Sequence, residues 1–239
     1  MSTAPTRRFE RELLRQTGAR WLACVDEVGR GALGGPVTVG VVLVDVDTRA
    51  APTGVRDSKL LSASVRERLV PKLRAWAPAW AVGHASAAEI DAIGLMRAMR
   101  CAGERAFAQL PHQPEHILLD GSYDWISKPE SALFDEDGML TDHDAWSEMA
   151  PVTTRVKADM SCSGVAAASV LAKTTRDALM IKLAGSYPQY GWAENKGYSA
   201  PDHLEALRQF GPCEHHRRSW SIPTPSTDPD DQRVAHTAS

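Results

Sequence analysis

Two adjacent carboxylates interrupt the most apolar part of this chain. Asp26 and Glu27 follow the apolar run at 21–25 and precede the β-branched run "VTVGVVLVD". Both runs have the character of buried strands, and the glycine-rich segment between them, "GRGALGG", predicts a turn. Because burying unpaired charges is costly, a chain that places two acids here needs something to compensate them. The stretch therefore indicates a site at the end of a strand.

The length and composition are those of a globular domain with a short appendage. The chain has 239 residues, of which 43% are hydrophobic. It contains no apolar window of ~18 residues that could cross a membrane, and its first residues do not resemble a signal peptide. We therefore expect a cytoplasmic protein. The four cysteines are widely spaced, which predicts free thiols rather than a zinc knuckle or a disulfide framework.

The formal net charge of −3 is distributed unevenly along the chain. Seven acids and no Lys or Arg lie between residues 130 and 148, and the tail at 223–239 is also acidic. The rest of the chain is moderately basic, so a nucleic-acid partner is compatible with the sequence. We expect an acidic surface insertion at about 122–150 and a disordered tail at 223–239.

Hydrophobic periodicity predicts strands that alternate with helices after an initial meander. The predicted strands are at 21–26, 37–44, 80–86, 116–120 and 152–159. The predicted helices are one at 88–110, an Ala-rich one at 163–183 and a short one that begins at Pro201. This order of elements predicts an α/β fold with a mixed sheet.

Three of the predicted strands deliver an acid to one edge of that sheet. Asp26, Asp120 and Asp159 each end a predicted strand, which is where open α/β sheets bind ligands. Like charges at ~4 Å repel strongly, and a hard divalent cation such as Mg²⁺ or Mn²⁺ would offset that repulsion. Strict alternation points Glu27 away from Asp26, so we expect the strand to end or bulge there. Each acid alone is more simply a turn former or a helix cap, but the combination favours a metal site.

Seven short blocks carry a resemblance to a known family. In order they are "DEVGRG", "DSKLL", "LLDG", "KAD", "AAASVLAKTTRD", "NKGY" and "EHHRRS". Together they resemble bacterial ribonuclease HII over roughly residues 20–221. The resemblance implies a ribonuclease H-like catalytic domain at 20–184, with a mixed five-stranded sheet flanked by helices. It also implies an N-terminal segment at 1–19 and a small C-terminal helical extension at 185–222.

The resemblance implies roles for individual residues. The residues that match the catalytic, metal-binding acids are Asp26, Glu27, Asp120 and Asp159. The residues that match the loop reading the ribonucleotide 2′-hydroxyl are Gly29, Arg30 and Gly31. Tyr198 matches a tyrosine placed against the neighbouring sugar. The residues expected to contact phosphates, or else to form a solvated face, are Ser58, Lys59, Lys173 and Arg176.

The implied activity is metal-dependent hydrolysis of RNA phosphodiesters, with Mn²⁺ or Mg²⁺ as cofactor. The expected substrates are RNA:DNA hybrids and duplex DNA with embedded ribonucleotides, cut on the 5′ side of the ribonucleotide to leave 3′-hydroxyl and 5′-phosphate ends. One cation would activate water and another would stabilise the leaving oxygen. The expected role is removal of misincorporated ribonucleotides by a monomer that contacts no membrane.

Other interpretations follow from the same residues. Ribonuclease HIII shares the catalytic fold but has an additional N-terminal domain, and only about 20 residues precede the first strand here. A catalytically silent nucleic-acid-binding module is disfavoured by the intact set of acids, and a phosphate-loop hydrolase by the missing G-K-[ST]. The block "KAD" also departs from the usual K-G-D, which is harmless if Ala158 has an ordinary φ. Cys213, His215 and His216 could imitate half of a metal site, but packing or backbone contacts are favoured.

Overall fold

A five-stranded mixed sheet forms the centre of the protein. The computed structural model describes residues 4–127 and 149–225. The sheet has the strand order β3-β2-β1-β4-β5. Its strands are β1 (Leu22–Val28), β2 (Val37–Val44), β3 (Ala79–Ala85), β4 (His116–Asp120) and β5 (Val152–Arg155).

The direction of the strands decides where the acids meet. β1 pairs antiparallel with β2, and β2 with β3, which forms the predicted meander. β4 lies parallel to β1 up to the pair Val25↔Leu119, and β5 lies parallel to β4 up to Asp120↔Arg155. The carboxyl ends of β1, β4 and β5 therefore share one edge of the sheet, as the sequence predicts for its acids.

Helices cover both faces of the sheet. They are α1 (Arg8–Thr17), α2 (Ala63–Trp76), α3 (Ala87–Ile93), α4 (Leu95–Phe107), α5 (Ala158–Ser161), α6 (Ser163–Ala184), α7 (Trp192–Asn195) and α8 (Pro201–Phe210). In the described ranges, two short 3-10 helices span Ser58–Leu60 and Pro188–Tyr190. Residues of α1, α2 and α6 share one apolar core with β1 and β2, while α4 packs on the opposite face.

The small residues of α6 let this helix lie directly on the sheet. An added Cβ at Gly40 of β2 would collide with the carbonyl oxygen of Ala168 and would lie 3.0 Å from the Cβ of Ala172. Gly40 pairs with Asp26 in the ladder, so the close approach brings the middle of α6 over the acid-bearing part of β1. The side chain of Ser169 is thereby placed beside Asp26.

The C-terminal elements have their own small core. Met180, Tyr190, Trp192 and Leu207 form a buried apolar cluster. His216 packs against this cluster, with ring contacts to Tyr190 and Trp192, and its Nδ1 accepts a hydrogen bond from the backbone N–H of Cys213. Packing and backbone contact are the roles that the sequence favours for this histidine.

The structure corrects several boundaries. The predicted helix at 88–110 is two helices, because Gly94 between them has a φ of 79°. β5 ends at Arg155, so Asp159 lies in α5 and not at a strand end. Helices α1 and α2 were not predicted. The expected surface insertion at 122–150 includes Trp125 and Ile126, which are buried in the core.

Two expectations fall largely outside the described residues. The acids at 130–148 all lie in the undescribed segment 128–148, and most of the predicted tail lies at 226–239. Within the described ranges, no helix has the length and the apolar character needed to cross a membrane.

Candidate active site

Asp26 and Asp120 lie side by side on the neighbouring parallel strands β1 and β4, directly after Val25 and Leu119, the last residues that pair between these two strands. Asp120 ends β4 as predicted, but the prediction that Asp26 ends its strand is wrong, because β1 continues to Val28. The Oδ1 of Asp120 accepts a hydrogen bond from the backbone N–H of Ala158 at 2.6 Å and lies 3.4 Å from the backbone nitrogen of Asp159. Asp120 thus holds the start of α5, and this contact brings Asp159 to the same place. The structure therefore brings together the three acids predicted to converge.

The backbone at "KAD" accommodates the alanine without strain. Ala158 lies in α5, and the left-handed conformation falls on Lys157, with φ 58°. Ala158 therefore has an ordinary φ, which is the condition under which its replacement of glycine is harmless.

Glu27 reaches the same site although β1 neither ends nor bulges. The β1–β2 ladder continues through Glu27↔Val39 to Val28↔Thr38, so the expected interruption is wrong. The pairing of β1 with β4 stops before Asp26, which leaves this side of Glu27 without a neighbouring strand. Glu27 interacts electrostatically with both Asp120 and Lys59.

The crowding of these carboxylates changes their acidity. Burial raises the pKa of Asp26 well above its usual range, and Glu27, Asp120 and Asp159 raise it further, while the neighbouring hydroxyl of Ser169 lowers it. Burial, followed by the charges of Asp120 and Asp57, raises the pKa of Asp159 to about 6. Burial also raises the pKa of Glu27, against the charge of Arg30. The site resists carrying its full negative charge.

The donor set fits a hard divalent cation. The Oε2 of Glu27 is buried and has no hydrogen-bond partner among the described residues. A buried carboxylate oxygen without a donor is costly, and a cation would satisfy it. As placed in the described ranges, no three acidic, His or Cys side chains already form a cage around an ion. The fit therefore rests on the chemistry of the acids and on the unpaired oxygen.

A fifth carboxylate, Asp57, was missed in the sequence. It is 8% exposed, accepts a hydrogen bond from the backbone N–H of Lys59 at 2.9 Å, and interacts with Asp159. The signal was the first letter of "DSKLL". Burial lowers the pKa of Lys59, but Asp26, Asp57, Asp159 and Asp120 together leave it raised. The ammonium group of Lys59 therefore faces the cluster of acids.

The glycine loop after β1 presents backbone to open space. Gly29 has a φ of 86°, and a Cβ there would collide with the Nε of Arg176 and lie 2.8 Å from the carbonyl oxygen of Pro36. Gly31 is exposed, and no atom lies within 4 Å of where its Cβ would be. The side chain of Arg30 is 53% exposed and its Nη1 lies 3.8 Å from the Oε1 of Glu27. The loop thus links the carboxylates to an accessible backbone surface.

Two buried arginines hold this loop in place. Arg217 donates to the carbonyl oxygens of Arg30 at 2.8 Å, Gly29 at 2.5 Å and Gly35 at 3.3 Å. Arg176 donates to the carbonyl oxygens of Pro36 at 2.8 Å, Gly34 at 3.0 Å and Lys196 at 2.9 Å. Both side chains are fully enclosed. Arg217 belongs to the block "EHHRRS", but the sequence predicts no role for it, because nothing in the sequence shows which arginine is buried.

Tyr198 lies where the C-terminal extension meets the glycine loop. The preceding residue, Gly197, accepts backbone hydrogen bonds from Leu33 and Gly34 at 2.8 and 3.1 Å. The half-buried ring of Tyr198 is 5.5 Å from the Nζ of Lys173. The Nζ of Lys173 also forms an ion pair with Asp177 at 2.7 Å. The structure therefore joins Tyr198 to the loop that was predicted to read the 2′-hydroxyl.

Two predicted phosphate contacts occupy other positions. Arg176 is fully enclosed and bonded to carbonyl oxygens, so its side chain cannot meet a phosphate in this conformation. Ser58 is 2% exposed, and its hydroxyl accepts a hydrogen bond from Ser169 at 2.8 Å. Both side chains are therefore buried beside the site and stabilise its surroundings, whereas Lys59 is exposed.

Known proteins resemble this chain over most of its length. A family model described as Ribonuclease HII matches residues 23–222. A Ribonuclease HII of Streptomyces coelicolor is 43% identical over 217 residues, which are 91% of this chain and 84% of the relative. A Ribonuclease HII of Nitrosococcus oceani is 41% identical over 199 residues, which are 83% of this chain and 88% of the relative.

Solved structures show the same architecture. The ribonuclease H2 from Pyrococcus horikoshii OT3 is 29% identical with a TM-score of 0.62, and the alignment covers 84% of this chain and 94% of that one. Bst-RNase HIII, solved in complex with Mn²⁺, is 20% identical with a TM-score of 0.53, covering 94% and 72% respectively. The latter likeness concerns the fold alone. These similarities confirm the predicted ribonuclease H-like fold.

Arg217 supplies the first test of this arrangement. Arg217→Met removes the guanidinium donor from the carbonyl oxygens of Gly29, Arg30 and Gly35. We therefore expect a loss of at least ~2 kcal/mol in the free energy of unfolding, measured by urea denaturation. Arg218→Met is the matched control, because Arg218 is exposed and should change stability by no more than ~0.5 kcal/mol. Equal effects of the two substitutions would contradict the role given to Arg217.

Proposed function

Because the chain belongs to the ribonuclease HII family and is a ribonuclease H, we propose that it is a metal-dependent endonuclease that cuts duplex DNA at embedded ribonucleotides. It also hydrolyses the RNA strand of RNA:DNA hybrids. Cleavage falls on the 5′ side of the ribonucleotide and leaves 3′-hydroxyl and 5′-phosphate ends. The biological role is removal of misincorporated ribonucleotides.

The observation that carries the proposal is the group of crowded carboxylates. Asp26, Asp120 and Asp159 share one edge of the sheet, and the Oε2 of Glu27 is buried without a partner. Such a group is costly for a metal-free protein, and binding of Mn²⁺ or Mg²⁺ offsets that cost. The Mn²⁺ in the Bst-RNase HIII structure supports the choice of ion. A silent binding module would have no need for this arrangement.

The protein contributes chiefly by positioning and neutralising charge. Divalent cations, when bound, supply activation of water and stabilisation of the leaving 3′-oxygen. The residues proposed to hold them are Asp26, Glu27, Asp120 and Asp159. Lys59 is exposed beside these acids, where its ammonium group can orient a phosphate of the substrate. Lys173 offers a second cation, although its ion pair with Asp177 must loosen for a direct phosphate contact.

Recognition of the ribonucleotide falls to the glycine loop. The open space beside Gly31 lets the backbone approach a sugar, and a 2′-hydroxyl both donates and accepts hydrogen bonds. Gly29 supplies the φ that the turn needs. The side chain of Arg30 is 53% exposed and can contact a phosphate once its ion pair with Glu27 loosens. Tyr198 meets the next sugar, where a deoxyribose packs better than a ribose. The preferred site is therefore an RNA-to-DNA junction.

The remaining parts of the proposal concern the setting of the enzyme. Its partners are RNA:DNA hybrids and ribonucleotide-containing duplex DNA, and it acts in the cytoplasm as a monomer. The catalytic domain spans 20–184 and the C-terminal extension spans 185–222. The hydrogen bonds that join Gly197 and His215 to the glycine loop support an extension that completes the substrate site.

Asp120→Asn tests the catalytic assignment. The amide oxygen can still accept the N–H of Ala158, so the fold should persist while a charged ligand is lost. We expect cleavage of a duplex with one ribonucleotide, assayed with Mn²⁺ and separately with Mg²⁺, to fall by at least about 100-fold. Asp124→Asn is the control, because the Oδ1 of Asp124 accepts hydrogen bonds from the backbone N–H groups of Ile126 and Ser127, and an amide oxygen can accept them as well. Near wild-type cleavage by Asp120→Asn would refute the assignment.

Tyr198→Ala tests the junction preference. Loss of the ring should reduce cleavage at a single embedded ribonucleotide by about 5- to 150-fold, from ~1 to 3 kcal/mol of stacking, and reduce cleavage of a continuous hybrid less. Tyr198→Phe keeps the ring and should keep the ratio of the two rates near that of the wild type. Both substrates are measured side by side at one salt concentration. Equal losses on the two substrates would exclude junction sensing by Tyr198 and leave the metal site unaffected.

A further inference from the structure

A basic cleft lies beside the active site, between α1 and the loop at 50–55. Its volume is about 710 Å³. The arginines that line it are Arg7, Arg8, Arg11 and Arg15. Among the described residues of its lining, none is acidic. The family model begins at residue 23, so α1 lies outside the part of the chain that defines the family.

One of these arginines is committed to the fold. Arg7 forms a buried ion pair with Glu10 and donates to the carbonyl oxygens of Thr48 and Asp45, both at 2.8 Å. Glu10 in turn accepts a hydrogen bond from the backbone N–H of Gly164 at 2.6 Å. These contacts fasten α1 against the start of α6. The cleft therefore has a fixed wall, and the charge of Arg7 is already compensated.

The other three arginines are less compensated. Arg8, Arg11 and Arg15 recur at a spacing of three and four residues, which places them along one side of α1. In the described ranges, Arg8 and Arg15 have no carboxylate within 4.0 Å. Arg11 interacts with Glu10, its Nη2 is 3.2 Å from the carbonyl oxygen of Thr48, and its buried Nε has no hydrogen-bond partner among the described residues. Guanidinium groups on one side of a helix, two of them without a carboxylate beside them, favour an anion.

The position of the cleft suggests which anion it binds. Val55 in its wall precedes Asp57 by two residues, and Ser163 in its wall follows Asp159 by four. The cleft thus shares two chain segments with the site that cuts the phosphodiester. A nucleic-acid duplex carries a charge every 1.7 Å of its axis, so a substrate seated at the acids presents further phosphates to its surroundings.

We propose that Arg8, Arg11 and Arg15 form a phosphate-binding cleft that holds the substrate backbone away from the scissile position. The inference rests on the proposed function, because it takes its ligand to be the same duplex. The guanidinium fork suits the paired oxygens of a phosphate, and the contact carries no base sequence information. The cleft thereby adds affinity for the duplex without adding selectivity for the ribonucleotide.

The test is the salt dependence of binding without divalent metal. A labelled duplex with one ribonucleotide is titrated in EDTA by fluorescence anisotropy between 50 and 200 mM NaCl. Arg8→Gln/Arg15→Gln should reduce the slope of log K against log salt by about 1.8, and equally for an all-DNA duplex. Arg97→Gln is the control, because Arg97 is exposed on α4 across the sheet and should leave the slope unchanged. Circular dichroism checks that both variants keep their helical content.

Three outcomes would overturn the proposal. The first is a double variant with the slope of the wild type, and the second is an equal reduction by Arg97→Gln. The third is that pyrophosphate stabilises the wild type against heat but not the double variant, while the slope for the duplex is unchanged. The cleft would then bind a small phosphorylated ligand, and the proposal would be overturned. Wild-type cleavage with Mn²⁺ is measured in parallel. If the wild type does not cleave but the double variant has a reduced slope, the proposed function is rejected and the cleft is not. If the wild type cleaves normally but the double variant has an unchanged slope, only the cleft is rejected.

Discussion

Repulsion among buried carboxylates is the constraint on which the active site depends. The parallel register of β1 and β4 places Asp26 next to Asp120, and Asp120 then fixes the start of α5 so that Asp159 joins them. Burial and mutual repulsion raise the pKa of Asp26 and Asp159. The metal-free fold therefore carries an electrostatic cost at neutral pH that its other contacts must offset. A divalent cation would relieve this cost, which is why the proposed function includes a metal.

The glycine loop follows β1 directly, so the proposed recognition of the ribonucleotide lies next to the carboxylates. Arg217 and Arg176 bind its carbonyl oxygens from below, and Gly197 accepts hydrogen bonds from its N–H groups. Each of these partners comes from α6 or from the C-terminal extension. The extension therefore does more than carry Tyr198: it shapes the loop that would meet the ribonucleotide. A change in the packing around His216 would shift the next residue, Arg217, and with it the hydrogen bond to the carbonyl oxygen of Gly29.

The sequence was sufficient where a pattern has a direct physical cause. Alternation and β-branching predicted the strands, and the acids on two predicted strands predicted the meeting of Asp26 and Asp120. It was insufficient where the cause is tertiary. The sequence predicts a surface cation at Arg176, because it does not show the carbonyl groups that surround this side chain in the fold. Gly94 separates two helices where the apolar periodicity of the sequence is unbroken. Trp125 is buried in the core although its segment has no apolar periodicity.

The most direct test of the account is the effect of Mn²⁺ on thermal unfolding, measured at pH 7.5 against EDTA. The wild-type protein should be stabilised in a concentration-dependent manner, as expected for a ligand that binds only the folded state. Asp26→Asn should be more stable than the wild type in EDTA and should gain much less from Mn²⁺, because one buried charge is gone. Glu12→Gln, which removes an exposed acid on α1, should respond as the wild type does. Equal stabilisation of all three proteins, or no stabilisation of the wild type, would contradict the claim that the carboxylates form a metal site.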